Sequence, residues 1–111
     1  MVDLASADVD RVFQALSDAT RRHMLAALCR KDATISELAR PFDMSLAGAA
    51  KHVKVLELAG LVRVQKSGRS HLCRINQEAF GTAAEVLAYY EHFWNQRLDA
   101  LQAHFAHRKK T

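Results

Sequence analysis

Proline is nearly missing from this chain and glycine is scarce, with one proline and four glycines in 111 residues. So few breakers leave few forced interruptions, and helices are expected to dominate. Cysteine is sparse as well. Cys29 and Cys73 stand 44 residues apart with no CxxC pair, too little for a disulfide framework or a cysteine-built zinc site. No apolar run approaches the ~20 residues of a membrane span. Met1-Val2-Asp3 lacks the basic start and apolar stretch of a secretory signal. What is present is ordinary globular composition, half apolar and a quarter charged. Membrane, fibrous and disordered classes are excluded. The expectation is a cytoplasmic protein with no membrane partner, residues 1–111 forming a single domain that folds without staples.

Charge is unevenly spread. Between Met44 and Asn76 stand six basic residues, Lys51, Lys54, Arg63, Lys66, Arg69 and Arg74, against the single acid Glu57. That third of the chain carries a net +5 out of a total of +4, so the remainder is slightly acidic. A localised basic patch is the footprint of a polyanionic partner, although a solvated helix face produces the same count.

Periodicity orders the chain. Val9, Val12, Phe13 and Leu16 mark a first helix over 8–16. Ser17 and Asp18 cap a second over 20–29, whose apolar side is Met24, Leu25 and Leu28. Thr34 and Ile35 suit a brief extended segment. Ser36 then caps a short helix over 37–41. Phe42-Asp43-Met44 makes a turn and Ser45 caps a fourth helix over 46–59, closed by Gly60. Two short helices joined by a tight turn form a helix-turn-helix, 36–59. Residues 61–65 and 70–75 alternate apolar and polar around Lys66-Ser67-Gly68-Arg69, a basic-tipped hairpin within 61–76. Thr82 and Glu85 have capping-box spacing, and a last helix is expected over 82–107, about 39 Å long. The fold class is therefore mainly α, a winged helix-turn-helix with a two-stranded wing and long first and last helices.

On the fourth helix, 100° per residue places Leu46, Ala49, Ala50, Val53 and Leu56 toward the core. Ala47, Gly48, Lys51 and Val55 fall opposite, with His52 and Lys54 on the flanks. Small residues at 47 and 48 allow close approach to a groove, and Ser45 with the free N–H groups of the first turn suits a phosphate. Lys51 and His52 can reach base edges or phosphates. The expected DNA-binding residues are Ser45, Ala47, Gly48, Lys51, His52, Lys54, Lys66 and Arg69.

Three stretches resemble the ArsR/SmtB-type winged-helix repressors. They are Phe13-Gln14-Ala15-Leu16-Ser17-Asp18-Ala19-Thr20-Arg21-Arg22, then Ser36-Glu37-Leu38-Ala39, then Met44-Ser45 followed by the run from Lys51-His52-Val53-Lys54 to Ala59-Gly60-Leu61-Val62. The wing residues Gly68-Arg69-Ser70-His71 fit too, and Phe93-Trp94 with Arg97-Leu98-Asp99 resembles a subgroup with an aromatic-rich last helix. The resemblance implies a homodimer paired through the first helix, 8–16, and the last, 82–107. The chain departs from the family where Leu46-Ala47-Gly48-Ala49-Ala50 replaces a common Gln-Pro-Ala-Val-Ser, so two base-reading side chains are missing.

Many members of that family sense metals. A cysteine pair in the first helix of the helix-turn-helix is absent here. The acid-and-histidine site of the last helix falls, in ungapped register, on Gln77, Ala79, Tyr90 and Phe93, none a good ligand. A set shifted by 14 residues, Glu91, His104 and His107, keeps an acid and two histidines, yet histidines beside Arg108, Lys109 and Lys110 more often lie solvated. For a thiol switch, Cys29 beside Arg30 and Lys31 and Cys73 in the wing are the candidates, against a bland reading as small core residues. Neither a nucleophile–base pair nor a phosphate-binding glycine loop stands out, so no enzyme and no cofactor are expected. The expectation is a DNA-binding transcriptional regulator, a homodimeric repressor on a palindromic site in double-stranded DNA, its effector unspecified. The competing readings are a winged-helix protein-interaction module and a thiol- or metal-responsive sensor. The dimer interface is expected to use Val9, Val12, Phe13, Tyr90, Phe93, Trp94, Leu98 and Leu101, with Trp94 buried.

Overall fold

A computed structural model describes the backbone of residues 3–109 and the side chains of residues 3–106. Helix α1 (Ala7–Leu16) begins at Ser6, whose hydroxyl accepts the Asp8 N–H. Helix α2 (Ala19–Arg30) begins at Asp18, whose carboxylate accepts the Arg21 N–H at 3.0 Å. Only two residues separate these helices, and α2 closes the end of α1. Arg21 Nε donates to the Ala15 carbonyl at 2.8 Å, and Arg22 Nη1 to the Leu16 carbonyl at 2.7 Å. Carbonyls that α1 cannot pair internally thus receive charge-assisted donors.

The short helix α3 (Ile35–Ala39) starts two residues before the expected point. Its cap is Thr34 rather than Ser36, and Thr34 forms a complete capping box with Glu37. Thr34 is fixed there because Ala33–Thr34 is a strand, β1, antiparallel to the second wing strand. Pro41 lies beyond the helix end. Helix α4 (Leu46–Leu58) is capped by Ser45, as the sequence indicates. It ends in a Schellman motif, with Leu61 N–H bonded to the Leu56 carbonyl, Gly60 N–H to that of Glu57, and Gly60 at φ +78°.

Strands β2 (Val62–Ser67) and β3 (Ser70–Ile75) form the wing. Gly68 takes φ +59° while Arg69 keeps a negative φ, the pattern of a type II′ hairpin turn. With β1 the sheet has three strands in the order β1-β3-β2, one more than expected. Register puts Val62, Val64, Cys73 and Ile75 on the core face.

Helix α5 (Gln77–Lys109) differs most from expectation. It begins directly after the wing, so Thr82 lies inside it and the Thr82–Glu85 box is not an N-terminus. Ala79 and Phe80 pack on the core, and that packing outweighs the cost of Gly81 in a helix, about 1 kcal/mol relative to alanine. Thirty-three residues make a rod of about 50 Å.

The core gathers Val12, Met24, Leu28, Leu56, Leu61 and Cys73 from both sides of the helix-turn-helix. Among the described residues, the last buried side chains are Ala83 and Val86. Beyond them α5 leaves the body of the molecule. The radius of gyration is 19.0 Å, against about 13 Å for a compact chain of this length. Among the described residues no helix is long and apolar enough to cross a membrane.

Candidate nucleic-acid interface

The outward arc of α4 is turned from the one expected. Leu46, assigned to the core, is 57% exposed, while Gly48 and Val55, assigned to the outside, are half-buried. Val55 packs against the core. The side of α4 toward the wing stays open, bordering a cleft of about 310 Å³ lined by Ile35, Leu46, Ala50, Arg69, Ser70 and His71. The exposed residues of α4 are therefore Leu46, Ala47, Lys51, Lys54 and Leu58.

Individual side chains have distinct duties here. The Ser45 hydroxyl accepts the Gly48 N–H at 3.0 Å and retains its own O–H as a donor. A Cβ at residue 48 would stand 3.3 Å from that hydroxyl oxygen, so glycine there leaves room for the cap. Lys54 lies 3.5 Å from Glu57 in an exposed pair of little energetic weight. Arg74 pairs with Asp32 at 3.0 Å, which relieves its position opposite Arg63 in the β-ladder. Among the described residues, no acid lies within 4 Å of Lys51, Arg63, Lys66 or Arg69. These cations are exposed along α4 and the wing.

His52 is half-buried against the start of α2. Arg21 Nη1 lies 3.3 Å from His52 Nδ1, while Asp18 stands 3.8 Å away, beyond hydrogen-bond reach. A guanidinium has only donors, so Nδ1 accepts and the ring proton sits on Nε2. The same guanidinium holds the Gln14 and Ala15 carbonyls. Arg21 thereby joins the end of α1, the start of α2 and the middle of α4. Sequence reasoning assigned Arg21 no task, since its partner His52 is 31 residues distant. The hydrogen bond from Arg21 N–H is the main cause holding the Asp18 carboxyl below its ordinary value of 3.8. The bond from Thr34 N–H likewise lowers Glu37 below 4.5.

The sensor candidates separate. Cys73 is fully buried and desolvation pushes its thiol up to about 11, so it stays protonated and unreactive at neutral pH. Cys29 is exposed at the end of α2, which corrects its reading as a core residue. Glu91 and His104 are exposed. Thirteen residues set them about 20 Å apart along α5, so one chain cannot bring both to one ion. The side chain of His107 lies outside the described residues.

The expected dimer residues also divide. Val9 and Val12 are buried by their own chain, because α1 packs across α5, α2 and α4. They are unavailable to a partner. Phe13 is half-buried, and Leu4, Phe13, Leu87 and Tyr90 border a groove between α1 and α5. Tyr90, Phe93, Trp94, Leu98 and Leu101 are 48–60% exposed.

A helix-turn-helix followed by a basic two-stranded wing, with an exposed recognition helix, defines a winged helix-turn-helix protein. Residues 16–65 match a helix-turn-helix domain family. The HTH-type transcriptional regulator Rv2034 of Mycobacterium tuberculosis is 30% identical over 89 residues, 80% of each chain. The crystal structure of an ArsR family transcriptional regulator superposes with a TM-score of 0.79 at 41% identity, covering 86% of this chain and 97% of that one. A homodimeric winged helix-turn-helix DNA-binding domain from Mycobacterium bovis is similar at a TM-score of 0.61 and 26% identity, over 78% and 82% of the two chains. The chain belongs to the ArsR family of transcriptional regulators, with a helix-turn-helix DNA-binding domain.

Proposed function

We propose that residues 1–111 act as one unit, a homodimeric repressor that occludes a promoter by binding a palindromic operator. Each protomer lays α4 in the major groove, Lys51 toward base edges, Ser45 and Lys54 toward phosphates, and the wing tip Lys66–Arg69 along the flanking backbone. Ala47 and Gly48 permit the close approach, and His52, oriented by Arg21, offers Nε2–H. The observation that carries this reading is the set of exposed cations with no acid partner among the described residues, Lys51, Lys66 and Arg69, shared by α4 and the wing. Two-fold symmetry sets half-site centres about 34 Å apart.

The exposed apolar side of α5 is the proposed subunit contact, with Phe13 from α1 beside it. Support comes from the homodimeric M. bovis domain and from aromatic area too large to leave in water. Selection from random-sequence duplexes, read by gel shift, tests the reading. The expected result is a palindromic motif bound by two protomers. Failure to enrich any motif favours the protein-interaction reading instead, and a folded monomer at micromolar concentration in sedimentation rejects the dimer.

A further inference from the structure

We infer that the first turns of α4 read thymine through its C5-methyl group, using an apolar surface made by Leu46, Ala47 and Ala50 beside Lys51. The inference rests on the groove placement proposed above. The residues at the start of a recognition helix are those that meet base edges, and two of the polar side chains here are each partly engaged within the protein. The Ser45 hydroxyl oxygen accepts the Gly48 N–H. Gly48 has no side chain, and its Cβ position is crowded by that oxygen. His52 Nδ1 is occupied by Arg21.

Exposed beside Ser45 are Leu46, at 57%, Ala47 and Lys51, while Ala50 and Leu46 share the wing-side cleft. Alanine and leucine carry neither donor nor acceptor. Each base pair displays a distinct pattern in the major groove, and the thymine methyl is the group on which an apolar side chain gains. The larger apolar residues farther along this helix, Val53 and Leu56, are buried. Leu58, the other exposed leucine, is 12 residues and about 18 Å farther along, at the end remote from the base-reading turns. The cations Lys51 and Arg69 flank the patch with no acid of the described residues within 4 Å, and that charge commits it to a polyanion rather than an apolar protein surface.

The test replaces thymine by uracil, which lacks only the methyl and preserves pairing. In the operator recovered by selection, each half-site thymine is exchanged in turn and affinity measured at fixed salt. One or two positions per half-site should each lose about four-fold, the worth of one buried methyl. Leu46→Ala, at an exposed position that folding does not need, should abolish that loss at its own position. Leu46→Gln should move the preference there from thymine toward adenine, whose N6 and N7 suit a side-chain amide. Tight operator binding that ignores uracil at every position overturns the inference and leaves the groove placement standing. A library that yields no motif overturns both.

Discussion

The body of the molecule, residues 3–86, and the arm of α5 beyond it are built on opposite terms. In the body nearly every large apolar side chain is covered, and the most buried, Met24, Leu56 and Leu61, come from three different segments. In the arm no described side chain is buried, although Leu87, Tyr89, Tyr90, Phe93, Trp94, Leu98, Leu101 and Phe105 all belong to it. At 100° per residue those eight fall within one half of the helix circumference, a width suited to packing against several helices. The polar half carries Glu91, His92, Asn95, Gln96, Asp99 and Gln102. Arg97 and His104 interrupt the apolar half, yet most of it is apolar and exposed, so the two regions differ in kind: the body is packed within one chain and the arm is not.

Two truncations separate these terms most sharply. Trp94→Ala should cost roughly 3–5 kcal/mol if a partner buries the ring, and the loss should appear as dissociation in sedimentation and as a concentration-dependent melting temperature. In a lone chain with Trp94 60% exposed the same change would be nearly silent. Leu56→Ala should cost about 2–5 kcal/mol at every protein concentration in chemical denaturation, because its packing lies wholly inside the body.

Within the body, α4 and the wing are expected to contribute differently to binding. Lys51→Ala should cost about 1–3 kcal/mol and relax preference at one operator position. Arg69→Ala should weaken all sequences alike and reduce the salt slope by about one unit. Equal affinities for the parent and both variants would remove α4 from the groove.

The smallest effect is acid sensitivity, and it too belongs to the body. Asp18 and Glu37 have folded-state values below their ordinary 3.8 and 4.5. A depressed carboxyl stabilises fully above its ordinary value and loses that contribution as pH falls through the depressed one. Denaturation midpoints should therefore agree at pH 7 and 5 on account of these two groups and decline once pH falls below about 4.5. Asp18→Asn retains a capping side chain and should flatten part of that decline. A loss already present between pH 7 and 5 would point to other groups.

The helix-turn-helix and wing were legible because their signals are local: Asp18 and Ser45 as caps, Gly60 as the left-handed stop, Gly68 in a two-residue turn. Local signals also misled. Thr34-Ile35-Ser36-Glu37 and Thr82-Ala83-Ala84-Glu85 carry the same capping spacing, yet only the first is an N-terminus. Strand pairing forces the chain to be extended up to Thr34, whereas upstream of Thr82 the helix has already begun under the pull of Ala79 and Phe80 on the core. The exposure of Leu46 and the engagement of His52 were hidden for a related reason. Each depends on what packs beside α4, the wing cleft for one and Arg21 for the other, and no periodicity within a single helix contains that information.

One residue at the start of α5 has a mechanical consequence. Asn76 donates its side-chain amide to the Gly60 carbonyl at 2.8 Å and its backbone N–H to the Leu61 carbonyl at 2.9 Å. The start of α5 is thus pinned to the trailing end of α4. A rigid lever of about 50 Å magnifies motion at such a joint, so each degree of tilt displaces its far tip by about 0.9 Å. The leverage also runs inward: a grip that fixes the tip to within an ångström fixes the angle at Asn76 to about one degree, and with it the bearing of the neighbouring helix.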